Sequence, residues 1–214
     1  MEREFEQYWN LEMKELEYKI KQQEQVKQFL KEEFGEEKSQ LLFQKETEIL
    51  NTIIIKTNGK TKNQQRTLIQ TILPRVALYK TFWDEGFCKD ETTKYMRKYM
   101  LEMIASQKHS SMLKMEKLPG FFFLYKNIFL KIMRNTDLQV STQSKGKDFF
   151  DVGIKKCLWH TACVENECEE LCCLFCDVDD VTYGGLKKIG FSRTQTLGYG
   201  GNCCDFHFFK KGRF

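Results

Sequence analysis

The sequence predicts an α+β fold: a mostly helical N-terminal region, then a small antiparallel sheet unit (strand, helix, hairpin) backed by helices. Three observations predict it. Apolar residues recur at steps of three to four through most of residues 1–134. After residue 147 the period drops to two, as in Phe150, Val152 and Ile154. Near the C-terminus, two alternating runs flank the glycine-rich turn YGGN. We therefore expect a helical region over 1–140 and a cysteine-rich α+β unit over 141–214, packed together as one compact domain.

Each element follows from local pattern. Residues 1–34 carry Phe5, Trp9, Met13, Leu16, Ile20, Val26, Leu30 and Phe34 on one stripe, and Gly35 is a plausible stop. Such a helix packs on its own domain or serves a homodimer. Leu41, Leu42, Ile49, Ile53 and Ile54 mark a second helix over 36–57, ended by the polar turn TNGKTKNQQ. A third covers 66–84, with a kink or new start expected at Pro74. Asp90 is placed to cap the next helix, which carries Tyr95, Met96, Tyr99, Met100, Met103 and Ile104. Residues 105–120 read as a loop holding a surface histidine, His109, and a helix follows at 121–134. The polar run 135–147 reads as a connecting stretch. DFFDVGIKKCLWH (148–160) reads as a strand. Asn166 with Glu169 resembles a capping box, opening one helix whose face carries Cys168, Leu171, Cys172, Phe175, Cys176, Asp179 or Asp180, and Tyr183. Gly184-Gly185 ends it. The closing hairpin sets Phe191, Arg193, Gln195 and Leu197 against Ser192, Thr194 and Thr196. Its second strand sets Cys204, Phe206 and Phe208 against Asp205, His207 and Phe209.

Composition narrows the function classes. The net charge is +4, with −5 in residues 1–50 and +9 scattered singly through the rest, so no basic run tracks a phosphate backbone and nucleic-acid binding is not expected. The longest apolar stretch, 121–133, is short and holds Lys126 and Lys131, so no membrane span is expected. The N-terminus is charged from its second residue and shows no signal peptide. A reducing cytoplasm is the expected compartment, which makes the nine cysteines free, metal-bound or reactive rather than disulfide staples. Eight of the nine lie between residues 157 and 204.

The candidate chemistry lies in 171–206. Cys176 shares a helix face with Asp179 and Asp180, and a thiolate near a carboxylate and a cation can act as nucleophile. Side-by-side aspartates are poor core residues, so at least one faces a cleft or a partner. Arg193 shares its strand face with apolar residues, and a part-buried guanidinium needs an anion. That anion is Asp179, Asp180, Asp205 or a substrate carboxylate. Thr194 and Thr196 are either hydrogen-bonding groups or strand formers. The GYGG turn, including Gly201, can offer N–H groups to developing negative charge. Cys157, His160 and Cys163 have C-x2-H-x2-C spacing. That leaves zinc open, but it does not match a paired-knuckle site, and no cofactor or metal ligand set is assigned.

Cys176 with Asp179, SRTQT (192–196), the glycine turn and CDF (204–206) resemble the L-2-amino-thiazoline-4-carboxylic acid hydrolase-like family. The wider run from FDVGIKKC to CCDFHF is similar to that family too, and ILPRVALYK (72–80) fits in the helical half. The resemblance implies a hydrolase opening a small cyclic amidine at a C–N or C–S bond. It implies Cys204 or Cys176 as nucleophile, Asp179 or Asp205 as acid/base, and Arg193 as anchor for the substrate carboxylate, with Thr194, Thr196 and Gly201 around the substrate. His207 stands where relatives often carry arginine after CDF, which makes it a candidate substrate-binding or acid/base residue. The alternatives to an enzyme are a small-molecule binding or sensing module and a cysteine-cluster metal-binding protein.

Overall fold

The structure is a computed structural model that describes residues 23–212. The described residues divide into two compact units, one of residues 23–58 with 67–86 and one of 59–66 with 87–212. Of the expected N-terminal helix, residues 1–22 lie outside the described part.

In the first unit, α1 (Glu24–Lys56) packs along α3 (Leu73–Asp84). Gly35 adopts φ 73° within α1, so the stop expected there is a break in helical geometry rather than an end. Along the chain between them, α2 (Lys62–Thr67) belongs to the second unit up to Arg66, and a π-helical turn, Leu68–Ile72, belongs to the first. That turn passes directly into α3, with Pro74 near its start, where a kink or new start was expected. Leu30, Leu42 and Leu50 of α1, with Val76, Ala77 and Phe82 of α3, are almost wholly buried. Phe34 tilts onto Phe82 at 5.9 Å. Glu46 is buried on α1, and neither carboxylate oxygen has a hydrogen-bond partner. Burial raises its pKa to about 8, so it stays protonated at neutral pH.

The second unit carries α4 (Lys89–Arg97), a π-helical stretch (Lys98–Ala105), α5 (Ser106–Met115) and α6 (Phe121–Asn135). The sheet is built from β1 (Gln139–Lys145), β2 (Phe149–Cys157), β3 (Ile189–Ser192) and β4 (Cys204–Lys210). Between β2 and β3 come α7 (Leu158–Glu165) and α8 (Leu171–Tyr183). All pairings are antiparallel, in the order β1-β2-β4-β3. The architecture is therefore the expected α+β fold.

Several local expectations are corrected. The 105–120 loop is largely helix α5, and His109 is not a free surface group, since its Nδ1 lies 3.1 Å from the Thr182 carbonyl oxygen. The polar run 135–147 contains edge strand β1. Cys88, not Asp90, is the N-cap of α4, and its N–H donates to Glu91 at 3.0 Å. Asn166 caps the C-terminal end of α7 through its bond to the Ala162 carbonyl, so the helix expected from 166 begins only at Leu171.

Strand alternation sends Phe150, Val152 and Ile154 of β2, and Cys204, Phe206 and Phe208 of β4, into one buried face. Phe208 stacks on Phe150 at 4.7 Å and contacts Phe191, Tyr183 and Phe129 at 4.8–5.2 Å. Lys126 of α6 ties the β1–β2 turn by donating to the carbonyls of Gly146 and Lys147.

Phe208→Ala should lower unfolding free energy by about 3–5 kcal/mol, read by denaturant titration, because the cavity opens where five rings meet. The raised pKa of Glu46 gives a definite sign. Its stabilising proton is fully held below the unfolded carboxylate pKa and is lost as pH rises through about 8. Glu46→Gln should therefore raise the unfolding midpoint more at pH 8 than at pH 5; equal shifts at both pH values would show that Glu46 does not carry this proton.

Candidate functional site

The site forms where α8, the loop 193–203 and the start of β4 meet. That loop was expected to continue a strand, but β3 ends at Ser192. Arg193, Thr194, Gln195 and Thr196 are held in place by side chains instead. The Asp205 carboxylate accepts from the N–H groups of Thr194 and Gln195, each at 2.9 Å, and from the Thr194 hydroxyl at 2.5 Å. Partial burial raises the Asp205 pKa, but these donors outweigh it and hold the carboxylate below its usual range. Asp205 thus shapes the loop from the outer face of β4. Thr196, 2 % exposed, caps the 3-10 turn Leu197–Tyr199 by accepting from the Tyr199 N–H.

That turn lies against α8. The Cys173 thiol donates to the Gly198 carbonyl at 2.9 Å, and the Tyr199 hydroxyl donates to Asp177 at 2.7 Å. Asp177 also pairs with Arg97 at 3.0 Å. A Cβ added at Gly198 would sit 2.8 Å from Cys176 Sγ and 2.9 Å from the Cys172 carbonyl, so only glycine permits this approach. Gly201 has a different duty. Its N–H donates to the Thr196 carbonyl at 2.9 Å, and a Cβ there would meet Gln195. It closes the loop without reaching the thiol.

Cys176 Sγ is part-exposed and lies against the Gly198 backbone, and its electrostatic surroundings are set by Cys172, Cys204, Thr196 and Gly198. Together they outweigh burial and hold the Cys176 thiol well below the ordinary range. Cys204 moves the other way: Cys176 and then burial raise it, while the Leu197 N–H donates to its sulfur at 3.4 Å. Of the two thiols implied as nucleophile, Cys176 is part-exposed and Cys204 is 4 % exposed.

One turn along α8, the charges of Asp179 and Cys176 feel each other. Asp179 is crowded by neighbouring atoms, yet its side chain is 35 % exposed. Burial raises its pKa to about 7, opposed by Arg193 and Lys108. Arg193 is 9 % exposed. Its Nη2 hydrogen-bonds Asp180, and its guanidinium lies over the rings of Phe191 and Phe206 at 5.8 and 6.0 Å. Its Nη1 is buried without a hydrogen-bond partner, 4.0 Å from Asp179. Beyond Asp179, Tyr125 donates to Tyr183 at 2.7 Å, and burial raises both phenols first of all.

The structure therefore groups Cys176, Cys204, Thr196, Asp179 and Arg193. Thr194, Gly201 and Asp205 act on the loop's shape. His207 lies on the outer face of β4, bonded to Asp151 at 2.6 Å and stacked on Phe209, away from the thiols. The expected convergence thus loses Asp205 and His207, because alternation along β4 points them opposite to Cys204. Two contributors were not assigned to the site from sequence. Gly198 gave a signal in the glycine-rich turn. Cys157, at the end of β2, is placed near Cys176 and Asp179, and its thiol is raised chiefly by burial. Among the described residues no group of three or more His, Cys, Asp or Glu side chains is arranged to hold a metal ion. Nor is any helix there long and apolar enough to cross a membrane.

These elements define an α+β protein whose helix–loop–strand junction gathers a part-exposed thiol, a crowded carboxyl and a half-paired guanidinium. Residues 65–208 match the family described as L-2-amino-thiazoline-4-carboxylic acid hydrolase, and the chain belongs to that family. It matches no curated protein. A solved structure, the Fe(II) unliganded H-NOX protein from K. algicida, is similar at 10 % identity and a TM-score of 0.32, over 88 % of this chain and 94 % of that one.

Cys176 should be alkylated fastest of the nine thiols by iodoacetamide at pH 6. Its rate should stay nearly flat from pH 6 to 8, whereas an ordinary thiol gains about tenfold per pH unit. A Cys176 rate that climbs like the others would remove its thiolate character.

Proposed function

We propose that this protein is a hydrolase that opens the ring of a small cyclic amidine carboxylate, 2-amino-thiazoline-4-carboxylate being the reference substrate. The observation that carries the reading is the half-paired Arg193, whose buried Nη1 lies 4.0 Å from Asp179, with the part-exposed thiol of Cys176 on the same helix as that carboxyl. Family membership supports the hydrolase class.

The residues divide the chemistry among them. Arg193 offers its unpartnered Nη1 to the substrate carboxylate, while Asp180 holds the other end of the fork. The Cys176 thiolate adds to the amidine carbon, which lies between ring nitrogen and ring sulfur. The ring bond to the leaving heteroatom then breaks, and Asp179, protonated up to about pH 7, donates the proton that atom needs. Water adds to the resulting thioimidate carbon and expels Cys176 as thiolate. The net change is substrate plus water. Loss of ring sulfur leaves an N-carbamoyl product with a free thiol; loss of ring nitrogen leaves an S-carbamoyl product with a free amine. No cofactor enters this scheme. We place the protein in the cytoplasm, a location that its nine free cysteines support.

Incubation with 2-amino-thiazoline-4-carboxylate, with the product identified by mass spectrometry and thiol titration, tests the reading and identifies the broken bond. Cys176→Ala should lower kcat by at least about 10³-fold. Arg193→Gln should act mainly on KM, by about tenfold to a hundredfold. With Asp179 as acid, kcat should fall as pH rises through about 7, and Asp179→Asn should lower the rate and abolish that limb. Thermal stabilisation by the ligand without turnover would instead identify a binding module.

A further inference from the structure

We propose that Asp177 is a positioning residue for Cys176: through Tyr199 and Arg97 it clamps the turn Leu197–Tyr199 onto α8, so that the Gly198 backbone stays closed over one side of the sulfur. As a statement about catalysis this rests on the hydrolytic reading. As a statement about the thiol it stands without it.

The clamp begins with the spacing of α8. Cys173 and Asp177 are four residues apart, so they share one stripe of the helix, about 6 Å apart along its axis. Both reach the turn. The Cys173 thiol donates to the Gly198 carbonyl at 2.9 Å, and the next residue, Tyr199, donates its hydroxyl to Asp177 at 2.7 Å. Cys172 and Cys176 form the neighbouring stripe, and the turn lies against them. A Cβ at Gly198 would stand 2.8 Å from Cys176 Sγ and 2.9 Å from the Cys172 carbonyl. Two side-chain bonds on one stripe therefore set the approach on the next.

The backbone bonds of the turn are internal. The N–H groups of Tyr199 and Gly201 donate to the Thr196 carbonyl, and that of Gly200 donates to the Leu197 carbonyl. They give the turn its shape but do not attach it to α8. Packing holds Tyr199 only weakly, because the residue is 60 % exposed. Its hydroxyl is the part with a fixed partner.

Asp177 is suited to fix that hydroxyl. Its side chain is 15 % exposed, and its two oxygens serve different partners. Oδ1 accepts from Tyr199, and Oδ2 accepts from Arg97 Nη1 at 3.0 Å. The carboxylate cannot turn away from the tyrosine without giving up the arginine. Arg97 is the last residue of α4, immediately before the π-helical stretch Lys98–Ala105 that packs on α8. Its side chain is 52 % exposed, and an ion pair this open adds little to global stability. Its effect is local: it orients the acceptor that Tyr199 uses.

The test uses the intact reduced protein and two alkylating agents, the small iodoacetamide and a bulky N-aryl maleimide. The rate at each cysteine is read by peptide mass spectrometry at pH 7. Backbone closes one side of the Cys176 sulfur, so loosening the turn should favour the larger reagent. The maleimide-to-iodoacetamide rate ratio at Cys176 should rise about threefold to tenfold in Tyr199→Phe and in Asp177→Ala, the range expected for one hydrogen bond. The double variant should rise no further than Asp177→Ala, because both changes remove the same bond. Asp177→Asn keeps an acceptor for Tyr199 but loses the charge that Arg97 pairs with, and it should fall between wild type and Asp177→Ala. The ratio at the exposed Cys88 should not move, and the buried Cys163 and Cys168 should stay unreactive. An unchanged Cys176 ratio in Tyr199→Phe and Asp177→Ala would overturn the proposal, as would additive effects in the double variant. So would a rise shared by Cys163 and Cys168, which would mean general loosening. Tyr199→Phe removes a single oxygen and decides the matter even if the aspartate variants do not fold. With 2-amino-thiazoline-4-carboxylate, Tyr199→Phe should lower kcat by a similar factor at nearly unchanged KM. A wild type that turns nothing over would sink the hydrolytic reading and leave the thiol ratio to decide this one.

Discussion

The alternation of β4 is the constraint on which the rest of the site depends. Residues 204 and 205 are neighbours, so one must point towards α8 and the other away from it. Cys204 takes the inner position and helps set the surroundings of Cys176. Asp205 takes the outer position and gathers three donors from residues 194 and 195. One strand therefore supplies a neighbour for the thiol and fixes the loop that supplies two others, Thr196 and Gly198. The register of β4 is itself held by the aromatic contacts of Phe208, two positions beyond Phe206 on the same face. A shift by one residue would exchange the two roles and dismantle both.

Charge around Arg193 is balanced unequally. Arg193 meets two carboxyls, but it hydrogen-bonds only Asp180, which is the more exposed of the pair. Asp179 is left 4.0 Å away, with its pKa raised by burial to about 7. The guanidinium thus retains one buried N–H set with no acceptor, an arrangement that is costly unless an anion completes it. Aromatic faces beneath it offset part of that cost.

Much of this was legible in the sequence where a pattern reported packing directly. The spacing of Cys172, Cys176 and Asp179 placed them on one helix face, and the alternation of 204–209 placed Phe206 and Phe208 inside. The rest was hidden where side chains replace backbone partners. Residues 193–197 alternate like a strand, yet Asp205 takes over the N–H groups that a strand would have paired. β1 read as a linker because QVSTQSK is an edge strand with few apolar residues. α5 read as a loop because it buries only Met112 and its first six residues are polar. The partner of Arg193 was narrowed to three aspartates or a substrate carboxylate, but which one bonds it depends on where the loop turns, and no local pattern states that.

The missing side chain at Gly198 has a consequence for direction as well as for space. The 3-10 turn sits so near Cys176 Sγ that a methyl group at position 198 already overlaps it. Backbone thus closes one side of the sulfur, and a group bonded to Cys176 must approach from the side away from Leu197–Tyr199.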